Sequence, residues 1–246
     1  TLASDLPLLP GQDPRFELAA VWESDEIQDG NSRTVAIPPG TVRVGARYRV
    51  RVRAQDISGR WSHWSAPIQF IAAEPDTTAA LRADLKLTEL MFHCPAGSDF
   101  DFVELHNAGT TSPLDLSGVT FVAGIDYTFP AGTTLAPGGY LVLVKTADFA
   151  AFRAYYGLSP DVLLAGPYGQ NFANEGEEVA LQTASGGANI VRFTYQDGPG
   201  WPPTADGAGY SLIPLVLDDQ ADGALNDGGN WRASTRVNGS PGGPDL

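Results

Sequence analysis

Short runs in which apolar and polar residues alternate recur along the chain, separated by glycine, proline, asparagine and serine, and long helical periodicity is almost absent. In LKLTELMF, Leu85, Leu87 and Met91 alternate with Lys86, Thr88 and Leu90. In FVELHN, Phe102, Glu104 and His106 alternate with Val103 and Leu105, so both runs are expected to be half-buried strands. RFELAAVW from Arg15, a turn at QDGNS and TVAI precede ARYRVRVRAQ, which sets Tyr48, Val50 and Val52 on one face and Arg47, Arg49, Arg51 and Arg53 on the other. A turn at Ser58-Gly59 leads to a closing strand at Ile68–Ile71. The run from Tyr140 to Val144 is apolar throughout, the pattern of a strand buried on both faces. Val179 and Leu181 face Val191, Phe193 and Tyr195 across a Ser185-Gly186-Gly187 turn. One stretch, TADFAAFRAYYG, has helical spacing: Phe149, Phe152 and Tyr156 form a stripe, Thr146 stands at the N-cap, Asp148 in the first turn, and Gly157 stops the helix.

Composition turns these runs into an architecture. A chain of 246 residues with 43% hydrophobic residues can bury two ordinary cores, and its 28 Gly and 19 Pro between short strands point to an all-β protein. A formal net charge of -14 argues against a nucleic-acid partner, because phosphate is bound by clustered Lys and Arg. Cys94 is the only cysteine, so no intrachain disulfide can form. No apolar run reaches the roughly 18 residues of a membrane span, so no transmembrane segment is expected. The first residue is not Met, which suggests a piece of a larger multidomain chain.

Candidate chemistry is sparse. His63, His93 and His106 are the available histidine bases, and no nucleophile-elbow, Walker or dinucleotide motif accompanies them. His93, Cys94 and His106 could be imagined as metal ligands, although adjacent strand residues point to opposite faces and a structural zinc site wants four ligands. Glu89 and Glu104 are paired strand carboxylates, suited either to glycosidase acid-base chemistry or to structural hydrogen bonding. In DDQADGALNDGG, Asp218, Gln220, Asp222 and Asn226 occupy alternating oxygen positions of an EF-hand-like loop, which makes calcium the one candidate ion; Gly229 stands where a bidentate Glu belongs. Otherwise no cofactor is expected. Arg49, Arg51 and Arg53 interleaved with Trp61 and Trp64 form either a binding platform or, the favoured reading, a structural cation-π ladder. Trp22, Trp201 and Trp231 are candidates for an exposed aromatic patch.

Two resemblances follow. The run Y-R-V-R-V-R-A-Q-D-x-S-G-x-W-S-x-W-S-x-P is similar to the last strands of a fibronectin type III domain, and Trp61-Ser62-His63-Trp64-Ser65 satisfies the W-S-x-W-S box of cytokine-receptor modules of that class. The ordered set F-V-E-L-x-N-x-G, L-D-L-S-G, F-P-A-G-T-x-L-x-P-G-G-Y-L-V-L, N-x-G-E-x-V-x-L and N-W-R-A-S resembles bacterial lamin tail domains, immunoglobulin-like sandwiches widespread in secreted proteins. These resemblances imply an all-β protein with two immunoglobulin-like β-sandwich modules in tandem, the second with one short helix. The expected boundaries are a partial or truncated fibronectin type III-like module over 1–75, a linker over 76–83 and a lamin tail domain over 84–246. The implied function is that of a non-catalytic binding or scaffold fragment of a larger secreted or cell-surface bacterial protein, serving adhesion, binding of a protein or surface polymer, or the positioning of a neighbouring domain. The alternative is a calcium-dependent hydrolase, or an accessory module of one, using loop 218–229.

Overall fold

A computed structural model of the chain describes residues 2–4, 20–24, 37–38, 40–73, 78–218, 220–221 and 223–246. The chain divides into two compact units, Thr1–Asp76 and Thr77–Leu246. In the first, β1 (Leu2–Ser4), β2 (Ala20–Trp22), β3 (Arg47–Val50) and β4 (Ile68–Ile71) form one sheet in the order β2-β1-β3-β4. The expected alternation holds at Tyr48, which is buried against Phe70, its antiparallel partner. It ends at Val50. Val52 is 64% exposed, because residues 51–54 leave the strand. The parts of the expected strands at 15–19 and 34–36, the turn at 28–32 and residues 74–77, which include the start of the expected linker, lie outside the described residues.

The second unit opens with α1 (Ala79–Asp84), which stands where a linker was expected and buries Leu81. It continues with β5 (Leu85–Met91), β6 (Phe102–Asn107), β7 (Leu114–Asp115), β8 (Thr120–Ala123), β9 (Tyr127–Thr128), β10 (Thr134–Leu135) and β11 (Tyr140–Val144). After α2 (Phe149–Tyr156) come β12 (Leu163–Ala165), β13 (Glu178–Gln182), β14 (Asn189–Thr194), β15 (Leu212–Pro214) and β16 (Trp231–Ala233). A six-stranded sheet, β12-β11-β6-β5-β15-β16, faces a four-stranded one, β14-β13-β8-β9, and β7 pairs with β10. Leu87, Leu90, Val103, Leu105, Leu141 and Leu143 from one sheet pack with Phe121, Val179, Leu181, Val191 and Phe193 from the other, which is the sandwich core.

Both β5 and β6 were expected to be half-buried, and both are buried on two faces. The reason is that α2 covers one part of the outer face of the large sheet, where Phe152 packs with Met91, Phe102, Val142 and Val144, and residues 239–242 cover Glu89 and Glu104. A register shift between Leu87 and Glu89 changes the phase of β5, so that Leu85 and Leu87 before it and Leu90 and Phe92 after it all reach the core. The helix itself starts two residues later than Thr146 would place it: Asp148 is the N-cap and accepts from Ala151 N at 2.9 Å, while Thr146 Oγ1 accepts from Asp148 N. Gly157, at φ 66°, ends it in the left-handed conformation that glycine adopts without strain.

Candidate functional site

The aromatic-cationic feature of the first unit is a three-part stack. The Arg53 guanidinium lies 4.4 Å from the Trp61 ring centroid and 4.6 Å from that of Trp64. A three-residue repeat of Trp and Ser brings this about. Ser65 N donates to Val52 O (2.8 Å) while its Oγ accepts from Val52 N (3.1 Å), and Ser62 makes the same pair with Ala54 (2.8 and 3.0 Å). The serines thus satisfy the backbone where strand pairing has ended, and the tryptophans close on Arg53. Arg49 Nε donates to Gln69 on β4 (3.3 Å), away from that stack. Asp56 holds the adjoining turn by accepting from Ser58 and Arg60, and the Ser58 hydroxyl and Arg60 N–H hold its carboxyl below the usual range.

Glu89 and Glu104 are paired across β5 and β6 as expected, each only 1% exposed, under the segment that follows Asn238. Glu89 accepts from Ser211 Oγ (2.5 Å), Ser240 N (2.9 Å) and Ser240 Oγ (3.1 Å). Glu104 accepts from Thr88 Oγ1 (2.7 Å) and Gly242 N (2.6 Å). Burial pushes Glu89 up to about 7; burial, with the neighbouring Glu89 charge, pushes Glu104 up to about 8. A Cβ at Gly239, where φ is +69°, would collide with Glu89 Oε1 and crowd Ser211 Oγ, so glycine is what lets the chain close over the pair. This is a sealed structural network.

Two of the four candidate oxygens of the acidic loop, those of Gln220 and Asn226, accept from backbone N–H groups. Gln220, 2% exposed, turns inward: its Oε1 accepts from Leu87 N and its Nε2 donates to Leu87 O, both at 2.9 Å, so the amide completes the edge of β5 as a strand would. Its own carbonyl accepts from Arg192 N on the opposite sheet (2.8 Å). Asn226 Oδ1 accepts from Thr194 N (2.7 Å). Asp218 lies on the loop, and Asp222 lies outside the described residues. Among the described residues, no cluster of three or more His, Cys, Asp or Glu could hold a metal. His93, Cys94 and His106 are not brought together. Cys94 is buried beside Tyr155 and Tyr156, His106 stacks on Tyr140 with centroids 4.1 Å apart, and His93 lines a cleft. Trp201 and Trp231 are buried, packed 5.9 Å apart, with Trp231 Nε1 donating to Leu225 O (2.8 Å), and Trp22 packs partly buried in the first core; they form no exposed patch.

The His93 cleft was not foreseen. It joins the end of β5 to residues near 174 and 206, and no local motif links such distant positions. His93 Nδ1 is 2.7 Å from Asp206 Oδ1 and Nε2 is 3.3 Å from Asn174 Nδ2. A Cβ at Gly207 (φ +71°) would meet the imidazole at 3.1 Å, so the backbone there seats the ring. The only sequence signal was the acidic turn before β6, which supplies Asp101.

Two immunoglobulin-like β-sandwich modules in tandem are the class that this architecture defines. The Lamin Tail Domain model matches residues 78–197, and that of the Rha78A-like, N-terminal immunoglobulin domain matches residues 12–74. The second module thus carries a lamin tail match and the first an immunoglobulin-domain match. The lamin tail match ends before β15 and β16, which complete the large sheet. No curated protein and no solved structure matches the chain significantly.

Proposed function

We propose that this chain is a non-catalytic binding or scaffold fragment of a larger secreted or surface-attached bacterial protein, where it serves adhesion, partner binding or the positioning of a neighbouring domain. One observation carries the non-catalytic reading: Glu89 and Glu104, the carboxylate pair best placed for hydrolysis, are sealed under Ser240 and Gly242 with their oxygens engaged. A glycosidase needs such a pair open to the scissile bond on both sides. The scaffold role rests on analogy with immunoglobulin-like and lamin tail modules. The extracellular setting rests on the resemblance to lamin tail domains of secreted proteins.

The test is co-sedimentation of the full chain with insoluble cell-wall polymers and envelope fractions, with reducing ends and released peptides assayed in the same tubes. Retention without product formation is the expected result. Product release that disappears in Glu104→Gln would overturn the reading.

A further inference from the structure

The cleft at the end of the second unit's sandwich has a volume of about 540 Å³, in the range of small-molecule sites. The turn between β5 and β6 forms one wall, with His93, Ser98 and Asp101, and the segment before β13 forms the other, with Asn171, Asn174 and Glu175. Its hydrogen-bonding inventory is one-sided. With Asp206 holding the proton on His93 Nδ1, Nε2 accepts from the Asn174 amide; the imidazole is a strut, and the Asn174 carbonyl oxygen is left over. Asp101 is 2% exposed and accepts from Cys94 N with Oδ1 (2.8 Å); among the described residues its Oδ2 has no hydrogen-bond donor, although Asp101 lines the cleft. Glu175 is exposed at the rim, and no Lys or Arg is among the lining residues.

The second oxygen of Asp101 therefore opens into the cleft, where it can accept from a ligand. Burial pushes the Asp101 carboxyl up to about 7, against the Cys94 N–H and the nearby His93, which pull it down. The Tyr168 hydroxyl, which feels the Asp101 charge, is also buried without a hydrogen-bond partner. The surplus of acceptors selects a cation. A hard metal ion would require several carboxylates converging within about 2.6 Å of one point, and the described residues contain no such group. A primary ammonium asks for less: one carboxylate can hold it, and its remaining N–H groups can be met by amide oxygens or water.

We propose that this cleft binds a protonated primary amine, with Asp101 accepting from the ammonium and Glu175, at the rim, adding the negative charge that draws it in. A lysine side chain and an amino sugar share this chemistry. The site stands apart from the scaffold reading, which concerns the sealed glutamate pair and retention on polymers; either can fail without the other.

The test is ¹H–¹⁵N NMR titration of the full chain, following the side-chain amides of Asn171 and Asn174 and the backbone N–H of Gly97. Four probes are used: Nα-acetyl-lysine methylamide, glucosamine, and the uncharged counterparts Nα-acetyl-norleucine methylamide and N-acetylglucosamine. Saturable shifts with one or both amines and none with the uncharged counterparts are expected, and the stronger amine identifies the source. Asp101→Asn keeps an acceptor for Cys94 N and removes the charge; Glu175→Gln, at the exposed rim, leaves the fold intact if the floor variant does not. Each is expected to weaken amine binding by about tenfold or more. No shift with either amine, equal shifts with the uncharged counterparts, or amine binding that is unchanged in both variants would overturn the proposal.

Discussion

Single buried polar side chains decide more about this protein than its exposed charges do. Glu89 and Glu104 have carboxyls raised above the ordinary value of 4.5, and Asp101 is raised above 3.8. A carboxyl raised by folding contributes its stability fully below the unfolded-state value, and that contribution is lost as pH rises through the folded value. Stability is therefore expected to fall as pH rises from about 4 to about 8, on the order of 1 kcal/mol per pH unit for each such group within its window. Thermal midpoints measured across that range will show the slope, and Glu104→Gln will flatten it and raise the midpoint at pH 8. Gln220 carries a second prediction. Gln220→Ala would strand the N–H and carbonyl of Leu87 in the core, at a cost of about 1 to 3 kcal/mol per group, read by urea unfolding. Because the Gln220 amide is already committed to Leu87, millimolar calcium against EDTA is expected to leave the midpoint unchanged.

The elements show where local pattern suffices and where it fails. The α2 stripe of Phe149, Phe152 and Tyr156 and its stop at Gly157 were legible, because helical spacing and a left-handed terminus are properties of a few consecutive residues. The N-cap was assigned to Thr146 when Asp148 fills it; both side chains can cap, and the contact with Ala151 N chooses between them. Asp148→Ala should accordingly lower stability by about 1 kcal/mol in chemical denaturation, whereas Thr146→Ala should cost less. The ladder of strand β3 was legible only to Val50. Past it, the W-S-x-W-S repeat replaces sheet pairing with serine hydrogen bonds and sets Arg53 against the two tryptophans.

Over the whole chain, each unit has an apolar core of its own: Tyr48 and Ala72 with their neighbours in the first, the sandwich and the α2 layer in the second. Calorimetry is expected to resolve two transitions, of which Glu104→Gln shifts only the larger. The all-β class, the tandem of modules and the positions of most strands were readable from residue order, because a two-residue alternation is imposed by the pleat of the backbone and needs no partner to be seen. Long-range closure settled the rest. The register shift in β5, the α2 layer that buries part of the outer face of β5 and β6, the cover of residues 239–242 over the glutamate pair and the inward turn of Gln220 all join positions many residues apart. So does the cleft, where residues 93, 101, 174 and 206 meet only once both sheets are stacked. A carboxylate in the sequence is the same letter whether it ends up in solvent or in a core, and its chemistry is set by the surroundings that folding brings to it.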